Sequence, residues 1–257
     1  MRSAARKLWA SARVGEVGVQ LGELQERLFA AAKAGTDRRR LLLVLQAMDG
    51  GGKDGTVKNV IGQLNPQGVR VVSFGVPTER ERKRHFLWRI RRGLPAAGYV
   101  GVFNRSHYED VLVPRVLGTL SPTAVERRYV QIRRFEQELL ADGCTVVKVL
   151  LHISPEEQLD RLLKRLDDPA KRWKYNPSDV DTRTHWPAYQ QAYGAALGAT
   201  STVDSPWYVV PADRKWYRDW AVSHLLHETM VELDPQYPQP SYDLDVERAR
   251  LKGGSPY

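Results

Sequence analysis

Within six residues the chain carries three glycines, a lysine and two carboxylates: Asp49-Gly50-Gly51-Gly52-Lys53-Asp54. Glycines let backbone N–H groups converge on phosphate oxygens, and a helix that starts just after them favours the anion. A lysine at position 53 supplies a point charge to oxygens near a transfer point. The stretch departs from the common phosphate loop twice. Ala47 stands for its first glycine, and Asp54 stands where Ser or Thr normally follows the lysine to hold magnesium. Asp49 adds an anion beside the phosphates. That makes sense if a metal lies between them, or if the carboxylate takes a proton from an acceptor phosphate. The bland alternative is a glycine-rich turn with Lys53 on the surface.

A phosphate loop needs a buried strand before it and a helix after it, and the pattern supplies both. Leu41–Gln46 is an apolar run suited to a strand buried on both faces. Asp54–Leu64 reads as a helix. Further strands are expected at Val69–Phe74, Tyr99–Phe103, Thr145–His152 and Trp207–Val210. Leu21, Leu24, Leu28 and Ala31 recur at helical spacing ahead of the first strand. Phe86, Leu87 and Ile90 mark a charged helix. Ser121-Pro122 and Ser154-Pro155 have the chemistry of helix starts. The second of these helices is expected to pack on a stripe of Leu159, Leu162, Leu163 and Leu166, and a long helix runs from about Arg214 to Leu233. Strands alternate with helices, which calls for an α/β fold with a parallel sheet covered on both faces. The division expected is an N-terminal helical extension over 1–40, a catalytic domain over 41–233 with a lid inserted at about 167–185, and a polar, proline-rich tail over 234–257.

Composition narrows the classes. A chain of 257 residues with 42% hydrophobic and 27% charged residues is globular, not disordered. No window approaches the length needed to span a bilayer, and the basic N-terminus lacks a signal-peptide pattern. A cytoplasmic location without a membrane is expected. The single cysteine, Cys144, excludes an intrachain disulfide and a cysteine-rich zinc site; at a strand start it reads as a buried residue. His224 and His227 share a helix face but have no third ligand beside them, and Trp216 and Trp220 read as part of a packing stripe. The net charge of +9 suggests a polyanionic partner: nucleic acid, an acidic membrane surface or a phosphate-rich substrate. Charge alone does not choose among these.

Several separated segments, in order, resemble a family-2 polyphosphate kinase. They are Gln46 to Asn59, Asn65-Pro66-Gln67-Gly68, Phe103-Asn104-Arg105-Ser106-His107-Tyr108-Glu109-Asp110-Val111, the run from Arg165 to Lys174, and Trp207 to Asp213. The resemblance extends from about Leu21 to Tyr242. It implies a P-loop kinase fold akin to thymidylate kinases: a three-layer α/β/α arrangement with a five-stranded parallel sheet and a helical lid. It also implies magnesium-dependent (or manganese-dependent) phosphoryl transfer between inorganic polyphosphate and AMP or ADP, giving ADP and ATP. Asn104, where many members carry Asp, leans toward use of both acceptors and removes a second carboxylate for the metal. A homo-oligomer, dimer or tetramer, is implied as well, and nucleic acid is not expected as a partner.

Matched to the family's motifs, Asp49, Lys53 and Arg105 are the catalytic candidates, with Asp49 as metal ligand. Phosphate and nucleotide contacts are expected from Gly50, Gly51, Gly52, Lys53, Asp54, Gly55, Thr56 and Lys58 in the loop and helix. Asn104, Arg105 and Arg115 join them, with Lys171, Arg172 and Lys174 in the lid. Trp173 and Tyr175 could stack on a base, whereas Glu109 and Asp110 take no assigned role. Two rivals remain: an ATP-dependent nucleotide or small-molecule kinase, and a basic nucleic-acid-binding protein.

Overall fold

The computed structural model describes residues 2–254. A long helix, α1 (Arg2–Lys33), leads into β1 (Arg40–Gln46), the glycine loop and α2 (Lys53–Asn59). Then come β2 (Val69–Ser73), α3 (Glu79–Arg82), α4 (Leu87–Gly93), β3 (Val100–Asn104), α5 (Glu109–Val116) and α6 (Pro122–Ala141). The chain continues through β4 (Cys144–His152), α7 (Pro155–Asp167), α8 (Ser178–Thr184), α9 (Trp186–Thr200), β5 (Trp207–Pro211), α10 (Lys215–Leu233) and α11 (Leu244–Gly253).

All four strand pairings are parallel, in the order β2-β3-β1-β4-β5. β1 is central, and its side chains alternate between two cores. Leu42 and Val44 face Leu87, Val111, Ile132 and Ala192 from α4, α5, α6 and α9. Leu41, Leu43 and Leu45 face Leu21 and Leu28 of α1 and Val222, Leu226 and Met230 of α10. The result is three layers, α/β/α, and β1 is apolar from Leu41 to Leu45 because neither of its faces meets water there. The chain moves from β1 toward β2, then crosses to β4 and β5 on the other side. This switch opens a crevice at the carboxyl end of β1, where ligands of open α/β sheets bind. Leu45 lies opposite both Asn104 and Val149, so the glycine loop and the residues after β3 emerge at one edge.

The two serine-proline starts cap as expected. Ser121 accepts from the Ala124 N–H and Ser154 from the Glu157 N–H. Other elements differ from the sequence reading. α1 begins at Arg2, far ahead of Leu21, because Ala10 and Val17 continue the buried face. The helix expected over 54–64 stops at Asn59, and a 3-10 turn over Ile61–Gln63 follows. The charged helix is two short ones, since Thr78 caps α3 with a reciprocal Glu81 box and a new helix begins only at Leu87. α5, which contains Pro114, has no counterpart in the sequence reading. The leucine stripe of α7 faces outward: Leu159, Leu163 and Leu166 are exposed, and only Leu162 is buried. The inward side of α7 is instead polar, made by Gln158 and Arg161. Part of the tail is helical, as α11, with no buried residue. Among the described residues no helix is long and apolar enough to cross a membrane.

Candidate active site

The glycine loop closes on itself tightly. Gly52, the residue ahead of α2, has φ 102°, a left-handed conformation that an L side chain resists. A Cβ there would also lie 2.1 Å from Nη1 of Arg218, and one on Gly55 would lie 2.8 Å from Nη2. Arg218 comes from α10 and is 2% exposed, wedged behind the loop and paired with Asp219 at 2.6 Å. Asp219 in turn accepts from the Asn59 amide at 2.8 Å, which ties α2 to α10. Lys53 is buried, and its ammonium donates to the Ala47 carbonyl at 2.8 Å. Burial pulls its pKa below the ordinary lysine value, and the Asp49 charge offsets part of that pull.

Arg105 follows β3 in the left-handed region, φ 62°, which is costly for a residue other than glycine. Two contacts hold it: its N–H donates to the Leu45 carbonyl at 3.1 Å, and Nη2 donates to Asp49 Oδ1 at 2.7 Å. Burial works against the Arg105 charge, but Glu109 and Asp49 outweigh it and keep the group firmly protonated. Asn104 donates to Asp54 Oδ1 at 2.8 Å. The Gln46 amide, oriented to satisfy both neighbours, donates to Glu109 Oε1 at 2.9 Å and accepts from the Ser106 N–H at 3.1 Å. Burial pushes the Glu109 carboxyl above its ordinary range, against the pull of Arg105 and Lys53.

The segment after Arg105 is anchored in the core by a buried polar network. Glu136 of α6 accepts from Lys148 Nζ at 2.6 Å and from the Tyr108 hydroxyl at 2.8 Å, and its Oε1 lies 3.3 Å from His107 Nε2. Lys148 also donates to the Thr200 carbonyl at 2.8 Å. Burial acts to raise the Glu136 pKa, but the His107 hydrogen bond and the Lys148 charge hold it below the ordinary value. Each of these residues is at most 2% exposed, so the ion pair sits in a low-dielectric interior directly behind the Arg105 turn.

On the other side, α7 braces the loop. Arg161 Nη1 donates to the Gly50 carbonyl at 2.8 Å, and Nη2 donates to the carbonyls of Ala212 and Asp213 at 2.5 and 3.0 Å. Gln158 donates to the Asp49 carbonyl at 2.8 Å. Beyond α7 the chain folds over the cleft. Arg165 Nη1 donates to Asp179 of α8 at 3.1 Å, and Arg183 donates to the Pro155 carbonyl at 2.6 Å. Burial raises the Asp179 carboxyl, helped by the nearby Asp49.

Between the glycine loop and the segment after α7 lies an open cleft of about 810 Å³, lined by ten lysines and arginines against three carboxylates, Asp49, Asp54 and Asp179. Lys215 shows the effect of that crowding: burial and the charges of Arg161 and Arg218 lower its pKa. Asp49, Gly50, Gly51, Gly52, Lys53, Asp54, Gly55, Lys58, Asn104, Arg105, Lys171 and Lys174 all line the cleft. Three expected contacts do not. Thr56 is buried, its hydroxyl on the Gly52 carbonyl at 3.3 Å. Arg115 stands on α5 and faces Glu126 of α6 at 3.9 Å. Arg172 donates to the Leu166 carbonyl at 2.8 Å and is exposed. Trp173 lines the cleft and is exposed, whereas Tyr175 does not line it. Arg161, Lys164, Arg165, Lys215 and Arg218 line it although sequence reasoning gave them no role. Arg165 opens the family-like run to Lys174, and for the others the net positive charge was the only signal.

Elsewhere the weaker sequence features behave as packing. Cys144 is buried and its thiol is pushed up to about 11, mainly by burial. His224 stacks on Trp220 at 5.4 Å, and Trp220 packs on Trp9 of α1 at 5.8 Å. No group of three or more His, Cys, Asp or Glu side chains gathers as a metal site among the described residues.

A parallel α/β/α sheet with a glycine loop at its central strand, a buried lysine at the start of the next helix and a cation-rich cleft defines an α/β protein built to bind phosphate. The family model for polyphosphate kinase 2 (PPK2) matches residues 12–238. The chain is 51% identical over 221 residues to an AMP/ADP-polyphosphate phosphotransferase of Meiothermus ruber, covering 86% of this chain and 81% of that protein. It is 43% identical over 232 residues to an ADP-polyphosphate phosphotransferase of Rhodopseudomonas palustris, covering 86% and 78%. The crystal structure of polyphosphate kinase 2 from Arthrobacter aurescens TC1 matches with a TM-score of 0.94 at 47% identity, over 96% of this chain and 87% of that one. This chain belongs to the polyphosphate kinase 2 family.

Proposed function

We propose that the protein transfers a phosphoryl group between inorganic polyphosphate and AMP or ADP, forming ADP and ATP. The observation that carries this reading is the ten-to-three excess of cations over carboxylates around the glycine loop. Donor and acceptor both arrive as polyanions. Two unit charges 4 Å apart interact by about 4 kcal/mol at an effective dielectric of 20, so two phosphate chains approach only where fixed cations offset their repulsion. The family's relatives named for AMP and ADP support both acceptors, and Asn104 in place of Asp agrees with the dual-acceptor reading.

The roles follow from position. Loop N–H groups and Lys53 hold the transferring end of the donor, and Arg105 leaves Asp49 to face the equatorial oxygens. A fixed cation acting there is worth about 10³ to 10⁵ in rate. Lys171 and Lys174 hold phosphates from the lid, whose closure keeps water from competing as acceptor. The donor set suits magnesium, a hard cation that binds through one or two carboxylates plus substrate phosphates. Asp49 and Asp54 both line the cleft, and each has one oxygen without a hydrogen bond among the described residues. Bound there, magnesium (or manganese) would neutralise phosphate charge. We place the reaction in the cytoplasm, and the resemblance to the family supports a dimer or tetramer.

The test is a magnesium-dependent assay with long-chain polyphosphate, offering AMP and ADP separately and resolving the products by chromatography. ADP and ATP from AMP are expected. ATP from ADP alone would overturn the dual-acceptor part, and no product from either acceptor would overturn the whole reading.

A further inference from the structure

A second cavity, about 420 Å³, lies beside the phosphate cleft. Its walls are His152 at the end of β4, Pro211 and Asp213 after β5, and Arg214, Trp216 and Tyr217 at the start of α10. His152 and Pro211 are register partners, so the cavity opens at the carboxyl ends of two adjacent parallel strands. Only a thin partition divides the two spaces. Lys215 lines the phosphate cleft, while its neighbours Arg214 and Trp216 line the second cavity. The single guanidinium of Arg161 reaches both the Gly50 carbonyl of the loop and the Asp213 carbonyl of the cavity wall.

The lining suits a flat heteroaromatic ring. Trp216 and Tyr217 stand edge to face, their centroids 5.8 Å apart and their planes at 89°. Such walls offer one ring face and one edge to a planar guest. The polar groups of His152, Arg214 and the Trp216 indole have no hydrogen-bond partner among the described residues, which leaves them free to meet ring nitrogens and a ribose. Asp213 is partly engaged, accepting from the Ser154 N–H at 2.8 Å. Apolar walls with a few free polar groups, one guanidinium away from a phosphate loop, match the two ends of a nucleotide.

We infer that this cavity holds the base of a nucleoside triphosphate whose phosphates lie on the same glycine loop, so that the triphosphate serves as an alternative phosphoryl donor. The inference rests on reading that loop as the donor site and goes beyond the polyphosphate activity. In the step, an AMP phosphate oxygen forms a bond to the γ-phosphorus of ATP and the bond from that phosphorus to the β,γ-bridging oxygen breaks. The leaving diphosphate keeps the electron pair, and both products are ADP. No further reactant is needed.

The experiment uses the full chain with magnesium, AMP and ATP labelled in its γ-phosphate, without polyphosphate, beside a parallel reaction driven by polyphosphate. Lys53→Ala serves as the control for contaminating kinases. Labelled ADP is expected from the wild-type protein. Base stacking is worth about 1–3 kcal/mol per ring, so Trp216→Ala should lower kcat/KM for ATP by roughly tenfold or more. Arg214→Ala, at an exposed side chain, should lower it severalfold. Both variants should keep polyphosphate-driven transfer within about twofold. Polyphosphate-driven ADP formation with no labelled ADP from ATP overturns the inference and leaves the polyphosphate reading intact. Equal losses with both donors, or no loss in either variant, also overturn it. Labelled ADP lost selectively in the variants, with no product from polyphosphate, sustains the base pocket and sinks the polyphosphate reading.

Discussion

Consider the Lys148–Glu136 pair behind the Arg105 turn. Lys148 is 0% and Glu136 2% exposed, so neither charge has solvent to fall back on when its partner is removed. Breaking a buried pair by deleting one member costs about 3–5 kcal/mol, because the other charge stays buried. Lys148→Met strands a carboxylate whose remaining donors are Tyr108 and His107. Glu136→Gln strands an ammonium left with the Thr200 carbonyl and the face of the Trp207 ring. For a chain of this size each kcal/mol corresponds to about 2–4 °C, so either single change should lower Tm by about 6–20 °C. The double variant removes both charges, and the amide oxygen introduced by Glu136→Gln can still accept from Tyr108. It should regain at least about 2 kcal/mol over the sum of the single losses, since contacting residues couple by up to about 3 kcal/mol. Equilibrium unfolding in denaturant, fitted for all four proteins of the cycle, measures this coupling. Losses that add to within about 0.5 kcal/mol would show that the two charges do not stabilise each other, and would refute the reasoning.

Four further outcomes are expected. Lys53→Ala and Asp49→Asn should each lower turnover by at least about two orders of magnitude with an unchanged circular dichroism spectrum; near-normal turnover removes that residue from the mechanism. Arg165→Met removes the ion pair to Asp179 and, if the segment after α7 acts as the proposed lid, should raise the ratio of polyphosphate hydrolysis to transfer by about threefold or more, read by phosphate release against ADP formation; an unchanged ratio shows that the pair holds no lid. The Glu109 carboxyl is raised above its unfolded value of 4.5, so ionising it in the fold costs stability as pH rises through the folded value. Glu109→Gln should therefore be more stable than wild type near neutral pH, with the gain vanishing as pH falls toward 4.5, in thermal scans across pH. Cys144, with its thiol pushed up to about 11, should resist alkylation at mildly alkaline pH until the protein is unfolded, as mass spectrometry would show.

Much of the fold is legible in the sequence because the five strands are short apolar runs between turn signals. β1 alternates between two cores, yet both its faces are apolar, so it reads as one block. Helices that combine polar inner faces with apolar outer ones mislead. α7 is the example: leucine spacing points to a buried stripe, whereas the buried side is Gln158 and Arg161, which the glycine loop needs. The glycine loop was legible because Asp49 to Asp54 are contiguous and follow a buried strand, whereas Arg105 was placed beside it only by the family resemblance. Arg161 and Arg218 were not, since they meet Gly50 and Gly52 across more than a hundred residues of chain. Arg115 is the opposite case, expected at the phosphates from the family motif but absent from the cleft lining. It lies a few residues from Arg105 in sequence, but α5 turns it toward Glu126. α5 itself stayed hidden because Pro114 interrupts its pattern.

The contact between Arg105 and Asp49 has a consequence for how the enzyme empties itself. Because the guanidinium already rests on a carboxylate, it is never left bare between turnovers. On the proposed reading, an incoming phosphate oxygen would trade places with Asp49, freeing the carboxylate to meet a cation, and a departing product would be relieved by the same carboxylate returning. Arrival and departure become two directions of one ligand exchange. A site crowded with positive charge can then let go of a highly charged product instead of being trapped by it.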